Sequence, residues 1–337
     1  MTVLVTGGAG YIGTHVVRLL RAAGRDVVVV DDLSSGRAER VAGTELVRLD
    51  VAGPGAVRAL GDVVRRRGVS AVVHLAARKR VDESVAQPLR YYRENIEGFA
   101  AVLAACTEHG VRSVVFSSSA AVYGDVAGGL VGEDAPTRPV NPYGRSKLVG
   151  EWLLRDVAAT GSLRGTALRY FNVAGAGWPD LGDPAVTNLV TLVLDAVRHG
   201  RAPRVLGTDF PTPDGSGVRD YVHVLDLARA HVAALDGLAG AGTDAGAAPV
   251  PPFRALNVGT GVGTSVLAVI RGLSAAMGVP VVPELVDRRP GDPAEVVADP
   301  RAIEAALGWR AVEPLDATLA SAWAAWQHAH GGEGTGA

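Results

Sequence analysis

Residues 6–13 read TGGAGYIG, directly after the apolar run Val3-Leu4-Val5 and ahead of the amphipathic stretch THVVRLLRAAG. Four glycines between a buried strand and a helix imply that something must come close to this backbone. Gly7, Gly10 and Gly13, spaced GxxGxxG, allow a tight turn, leave amide N–H groups facing an anion, and set that anion at the positive end of a helix. A dinucleotide diphosphate has the matching shape and charge. The glycine spacing alone also suits a plain tight turn, so a second signal is needed. Asp31 supplies it by closing the next strand, VVVVD, about twenty residues on, where a carboxylate accepts hydrogen bonds from an adenosine ribose and repels a 2′-phosphate. The pattern predicts NAD rather than NADP. Asp50-Val51, after the third strand, reads equally as an adenine contact and as a helix cap.

Outward from this turn, the first 170 residues alternate β-branched runs with helical patterns. VLVT (3–6), VVVVD (27–31), ELVRL (45–49), AVVHL (71–75), SVVFSS (113–118) and GTALRY (165–170) are continuously apolar, as strands are when helices cover both sheet faces. THVVRLLRAAG, PGAVRALGDVVRRRG and EGFAAVLAACTEHG repeat apolar residues at helical spacing and carry glycine at or near their ends. The expectation is an α/β, doubly wound parallel sheet of the Rossmann type over residues 1–175, to which later segments return. Residues 176–330, rich at first in Gly, Pro and Asp, are expected to build a smaller C-terminal α/β substrate lobe. Residues 239–252 and the tail 331–337 read as flexible surface.

Composition narrows the function classes. The 337 residues are 48% apolar and 20% charged, enough core-forming material for a globular protein. With 33 basic and 35 acidic residues the net charge is −2, which gives no field for holding nucleic acid or an anionic membrane. The single cysteine, Cys106, excludes an internal disulfide and a thiolate metal cluster and reads as a small buried hydrophobe. No apolar stretch approaches the roughly 20 residues of a membrane span and no secretory signal opens the chain, so a cytoplasmic protein acting on small molecules is expected.

Tyr143 and Lys147 stand in a YxxxK spacing, one helical turn apart on one face. That spacing often arises by chance, as an exposed Tyr beside a solvated Lys. Here it follows the strand SVVFSSS, and Ser119 can complete a triad in which Lys147 favours the phenolate while Ser119 and Tyr143 both reach one substrate oxygen. Ser117 and Ser118 are better read as strand-end hydrogen-bonders.

TGGAGYIG, HLAARKRVDESV, FSSSAAVYGD, NPYGRSK, LRYFNVAGA, GVRDYVHVLDLA and RRPGD occur in order over residues 3–310, and the set resembles the UDP-glucose 4-epimerases of the extended short-chain dehydrogenase/reductase family. The resemblance implies 4-epimerisation of a UDP-hexose through a transient 4-keto sugar, a tightly held NAD, Tyr143 as base, Ser119 as its partner and Lys147 on the nicotinamide ribose. To the cofactor residues already named it adds Tyr11, Ile12, Asp32, Leu75, Ala76, Ala77 and Lys79, the last also near the substrate. For a UDP-sugar it implies Asn172, Asn188, Leu189, Leu206, Arg219, Tyr221, Arg289, Asp292 and Val296, with Ser119 and Tyr143 at the sugar. It also implies a homodimer, to which apolar helices around YYRENIEGFAAVLAAC and SKLVGEWLLRDVAA would contribute.

Four positions depart from the family pattern. Ala121 stands where many members have Thr, Leu206 where an aromatic often stacks on uracil, Glu94 where Asn is frequent near the cofactor, and Val296 where some bacterial members have Tyr. Relatives that dehydrate or decarboxylate the sugar carry an acid just before VYG, whereas this chain has Ala120-Ala121. Oxidation and re-reduction at C4 is then the simplest chemistry. Another epimerase, a dehydratase or a reductase of the same family is the alternative, and a non-catalytic NAD-sensing regulator the more distant one.

Overall fold

The computed structural model describes every residue except 127, 241–249, 290–291 and 332–337, so the expected flexible tail and most of the expected flexible segment 239–252 lie outside the described residues. Seven strands form one sheet in the order Glu45–Arg48, Asp26–Asp31, Thr2–Thr6, Val69–His74, Ser113–Ser117, Arg164–Tyr170, Phe253–Val258. Every neighbouring pair is parallel. Alternation along each strand supplies both faces. Val3, Val5, Val27 and Val29 belong to one core cluster, while Leu4, Val28 and Val30 belong to the other, as side chains of period two require. Each such burial stabilises the fold by about 1.5–3 kcal/mol. Both faces being covered is the reason the strand segments are continuously apolar.

Helix Tyr11–Ala22 packs with helix Val224–Ala239 on one face, and helices Ala56–Arg67, Gly98–Glu108 and Pro142–Ala159 cover the other. Helix Ala56–Arg67 stops at Gly68 in the left-handed conformation, φ 59°. The strand Phe253–Val258 and helix Val224–Ala239 are the late segments that return to the first sheet.

The later part of the chain builds a second sheet around strand Val218–His223. This strand pairs antiparallel with Gly263–Ser265 and parallel with Glu295–Ala298 and Asn172–Ala174. Glu295–Ala298 in turn pairs with Leu130–Val131, a contribution from the first half of the chain that its sequence does not announce. Asp220 ties the sheet to its flanking loop, accepting from the amides of Thr260, Gly261 and Ala298. Among the described residues, no helix is long and apolar enough to cross a membrane, and no group of three or more His, Cys, Asp or Glu could hold a metal ion.

Candidate active site

Strand order reverses direction at Thr2–Thr6, whose neighbours on its two sides are Asp26–Asp31 and Val69–His74. Loops leaving the carboxyl ends of strands at such a switch point diverge and open a crevice. The cleft found there is lined by Gly7, Gly10, Tyr11, Ile12, Gly13, Asp31, Asp32, Asp50, Val51, Leu75, Ala76, Ala77, Lys79, Tyr143 and Lys147. One cleft thus gathers every residue proposed for the cofactor. Val30, Ser34, Ser35, Leu49, Arg78, Glu94, Ser117 and Tyr170 also line it. Several of these follow from the rule that strand ends of a parallel sheet face the ligand. Arg78 and Glu94 carry no such local signal.

The glycine turn is sterically closed to side chains. Gly7 has φ +69°, and a Cβ there would lie 2.6 Å from the Ala76 amide nitrogen; one on Gly13 would lie 2.2 Å from the Gly7 carbonyl oxygen. Tyr11 Oη donates to the Gly175 carbonyl at 2.5 Å, which pins the helix start to the far side of the sheet. Asp31 is buried, and its two oxygens accept from the amides of Ala9 at 3.0 Å and Leu33 at 2.9 Å. Burial raises its pKa, and these amide bonds pull the other way. Each oxygen keeps a second lone pair for a ribose hydroxyl. Asp50 lines the cleft and accepts from the Ala52 amide at 2.9 Å in a turn, and it is not a helix cap, since helix Ala56–Arg67 is capped by Gly55. A turn that admits no Cβ, a helix N-terminus and a carboxylate on the second strand fit a dinucleotide.

Across the cleft, helix Pro142–Ala159 starts with Asn141 capping the Gly144 amide at 2.9 Å and with Pro142 in its first turn. Its Gly150 lies against the Phe116 ring, where a Cβ would fall 2.4 Å from Cζ. That close approach brings Lys147 Nζ to the Ser117 carbonyl at 2.7 Å. Tyr143, Lys147 and Ser119 are all buried. Burial raises the Tyr143 phenol above its usual range, and a hydrogen bond with Ser119 offsets part of that rise. Burial pulls the Lys147 ammonium down to about 7. The Lys147 nitrogen also lies over the Tyr143 ring, 6.0 Å from its centre, while its hydrogen bond goes to the strand end.

That strand end is braced from below. Ser118 Oγ donates to Glu151 at 2.5 Å, Glu151 is clasped at 2.8 and 2.6 Å by Arg169, and Arg169 donates to Tyr123 Oη at 3.0 Å. Ser117 Oγ bonds Tyr170 Oη. Ser117 and Ser118 are therefore strand-end hydrogen-bonders, while Ser119 Oγ accepts from the Ala121 amide at 3.2 Å and acts to lower the Tyr143 phenol against its burial.

The residues proposed for the UDP-sugar are less concentrated. Strand Val218–His223 carries Arg219 and Tyr221 on one face, pairing Tyr221 with Asn172 and Arg219 with Val296. Asp292 is close enough to Arg219 to act on its charge. Asn188 caps helix Leu189–Arg198 through the Thr191 amide at 3.0 Å and donates to Asp183, which lies 3.9 Å from Lys79; this ties Lys79 to the helix that begins at Leu189. Leu206 ends a strand paired with Glu284–Val286, and Arg289 is exposed, its carbonyl accepting from the Asp292 amide.

The NAD dependent epimerase/dehydratase family model matches residues 3–245. UDP-glucose 4-epimerase of Azospirillum brasilense is 46% identical over 312 residues, covering 91% of this chain and 86% of that protein; the Bacillus subtilis enzyme of the same name is 40% identical, covering 97% of each. The crystal structure of the Stenotrophomonas maltophila UDP-glucose-4-epimerase with bound NAD and formylated UDP-arabinopyranose superposes with a TM-score of 0.90 at 40% identity, covering 99% of this chain and 100% of that one. The Bifidobacterium longum enzyme in complex with NAD+ and UDP gives 0.87 at 37%, covering 98% and 99%. The chain belongs to the NAD dependent epimerase/dehydratase family, and its likeness to the UDP-glucose 4-epimerases extends over nearly its whole length.

Proposed function

We propose that this protein interconverts UDP-hexoses at C4, UDP-glucose with UDP-galactose, using a resident NAD. The observation that carries the reading is a single cleft that gathers the glycine turn, Asp31, Tyr143 and Lys147. When bound, NAD supplies a reversible hydride acceptor at C4. Tyr143 Oη, as the phenolate that the positive charges of Lys147 and of bound NAD+ would favour, takes the O4 proton and returns it, with Ser119 Oγ contacting the same oxygen. Lys147 holds the Ser117–Ser119 strand end and reaches the nicotinamide ribose. With Ala120 and Ala121 before Val122-Tyr123-Gly124, no carboxylate stands ready for the further proton transfer that a dehydratase needs.

Epimerisation requires a firm grip on UDP and a loose one on the hexose. Arg219 and Arg289 grip the diphosphate, a task suited to guanidinium forks. Asn172, Tyr221, the turn at Asn188-Leu189, Leu206 and Asp292 complete the nucleotide-sugar site, with Val296 near the sugar. On this reading residues 1–175 form the NAD-binding domain, and residues 176–330 mainly the nucleotide-sugar lobe. UDP-N-acetylhexosamines are further substrates.

The working form is a cytoplasmic homodimer. Its support is the set of exposed apolar side chains Val81, Val85, Leu89 and Trp152 on helices Val81–Ala86, Pro88–Tyr92 and Pro142–Ala159, the first two of which pack on the third. The apolar face of helix Gly98–Glu108, expected at that interface, is turned into the core instead.

The test is incubation of the purified protein with UDP-galactose and no added NAD. UDP-glucose should accumulate to an equilibrium mixture. A persistent 4-keto absorbance, or no product even with NAD supplied, overturns the reading.

A further inference from the structure

Glu94 places a carboxylate in the cleft that the glycine turn opens to a diphosphate. The opposing wall is the loop after strand Val69–His74, which passes so close to Gly7 that Ala76 would touch a Cβ there. Arg78 and Lys79 follow in that loop, and Glu94 lies beside them. An unpaired carboxylate here, added to Asp31 and Asp32 in the same cleft, works against an incoming diphosphate.

Three guanidinium groups meet Glu94. Arg78 Nε donates to Oε2 at 2.5 Å, Arg90 Nε donates to Oε1 at 2.8 Å, and Arg93 approaches at 3.5 Å. Their exposures differ, at 25% for Arg78 side-chain surface against 37% and 59% for the other two, so Arg78 is the partner least screened by water. It is also the only one of the three that lines the cleft. Its backbone is held independently of its side chain, because Asn95 accepts from the Arg78 amide at 2.7 Å and donates to the Arg78 carbonyl at 3.0 Å.

We propose that Arg78 and Glu94 are a charge-compensating pair that sets how tightly this cleft retains the cofactor diphosphate. Arg78 cancels the Glu94 carboxylate where it faces the cleft, and Arg90 and Arg93 fix the outer side of that carboxylate. The pair acts by removing a repulsion, so tight binding excludes the Glu94 carboxylate without Arg78, whereas Arg78 without that carboxylate is compatible with it. The inference rests on the NAD reading above.

The experiment compares wild type, Arg78→Leu, Glu94→Asn and the double variant Arg78→Leu/Glu94→Asn. The readouts are the NAD released per protomer on heat denaturation and the rate of NAD loss on dialysis. Arg78→Leu should lose NAD about 10- to 100-fold faster, about 1.4–2.8 kcal/mol of binding free energy. Glu94→Asn should retain NAD as well as wild type, and the double variant should return to within about threefold of it, a coupling of the kind a double-mutant cycle isolates. Circular dichroism of each variant confirms the fold, which Asn95 preserves around residue 78. A double variant as leaky as Arg78→Leu would make Arg78 a direct phosphate ligand and overturn the proposal, as would an Arg78→Leu protein that keeps NAD. Wild type that carries no NAD at all would instead sink the functional reading beneath it.

Discussion

Lys147 donates its ammonium proton to the Ser117 carbonyl at 2.7 Å and stands 6.0 Å from the ring centre of Tyr143. The lysine and the phenol share a helix face, yet the lysine's partner is the strand end two residues before Ser119. Burial brings Lys147 to about 7, well below the roughly 10.4 of an unfolded chain. Between those values the unfolded state carries a proton that the folded state lacks, so stability rises with pH across the window and the gain is lost as pH falls toward 7. The slope is at most about 1.4 kcal/mol per pH unit. Urea unfolding from pH 7 to 8.5 should therefore steepen in wild type relative to Lys147→Met. Parallel curves for the two proteins would mean that Lys147 stays charged.

Tyr143→Phe removes the buried hydroxyl that the proposed mechanism uses at O4. Turnover should fall by about 10²–10⁴-fold, the scale of a lost general acid or base, while NAD stays bound, since the ring still fills its buried place. Near-normal turnover with intact NAD content would remove Tyr143 from the chemistry.

On the proposed reading Asp31 has two tasks, and they separate experimentally. Its oxygens hold the amides of Ala9, inside the glycine turn, and of Leu33, a non-glycine residue at φ +60°. Asp31→Ala leaves both donors without partners, at about 1–3 kcal/mol for each that stays buried. The variant should lose thermal stability as well as NAD. Wild type should release NAD and not NADP on denaturation; mostly NADP would overturn the ribose assignment.

The parts of this structure that were legible in the sequence are those whose cause is local. Strands in a sheet covered on both faces read as near-continuous apolar runs, so six strands of the first sheet stand out. Gly7, Gly10, Gly13 and Asp31 are separated by one strand–helix–strand unit, and their spacing carries the geometry of the cleft. Leu130–Val131 was not legible, because a two-residue strand is defined only by its pairing with Val297 and Ala298, more than 160 residues away. The same holds for the clasp of Arg169 on Glu151 and the aim of Lys147 at Ser117: each depends on how closely helix Pro142–Ala159 approaches its strand. Gly150 against Phe116 sets that distance. Glu94 was visible as a departure from the family pattern, but its neutralising partner Arg78 becomes apparent only in three dimensions.

Three histidines predict acid lability. Burial lowers His15 to about 4, His74 to about 3 and His231 to about 4. His74 is stacked on Phe99 at 4.5 Å and bonded to Thr6 at 2.7 Å. Below about 6.5 the unfolded chain binds protons that the folded chain refuses, so stability present at neutral pH is lost as pH falls from 6.5 toward 4. Each histidine contributes up to about 1.4 kcal/mol per pH unit. The free energy of urea unfolding should drop by at least about 2 kcal/mol between pH 7.5 and 5. His74→Phe, which keeps the stack, should flatten the dependence. A stability unchanged over this range would show that these rings titrate normally.

Val296 is the residue proposed to set substrate breadth. It lies on strand Glu295–Ala298, registers with Arg219 and packs against the cluster of Val122, Tyr123, Phe171 and Ala298, which begins directly after Ser119. It is half-buried, whereas Ala298 on the same strand face is fully enclosed. A tyrosine at this position would extend a ring beyond the cluster, and an N-acetyl group at C2 of the sugar would then meet a closed wall, with overlap costing a few kcal/mol. Valine leaves that space open. Wild type should process the UDP-N-acetylhexosamine pair and the UDP-glucose/UDP-galactose pair with kcat/KM values within about tenfold, or about 1.4 kcal/mol in transition-state binding. Val296→Tyr should lose the N-acetylated pair and keep the other. If wild type already rejects UDP-N-acetylglucosamine, or the tyrosine variant accepts it unchanged, Val296 only packs the cluster and another residue bounds the sugar.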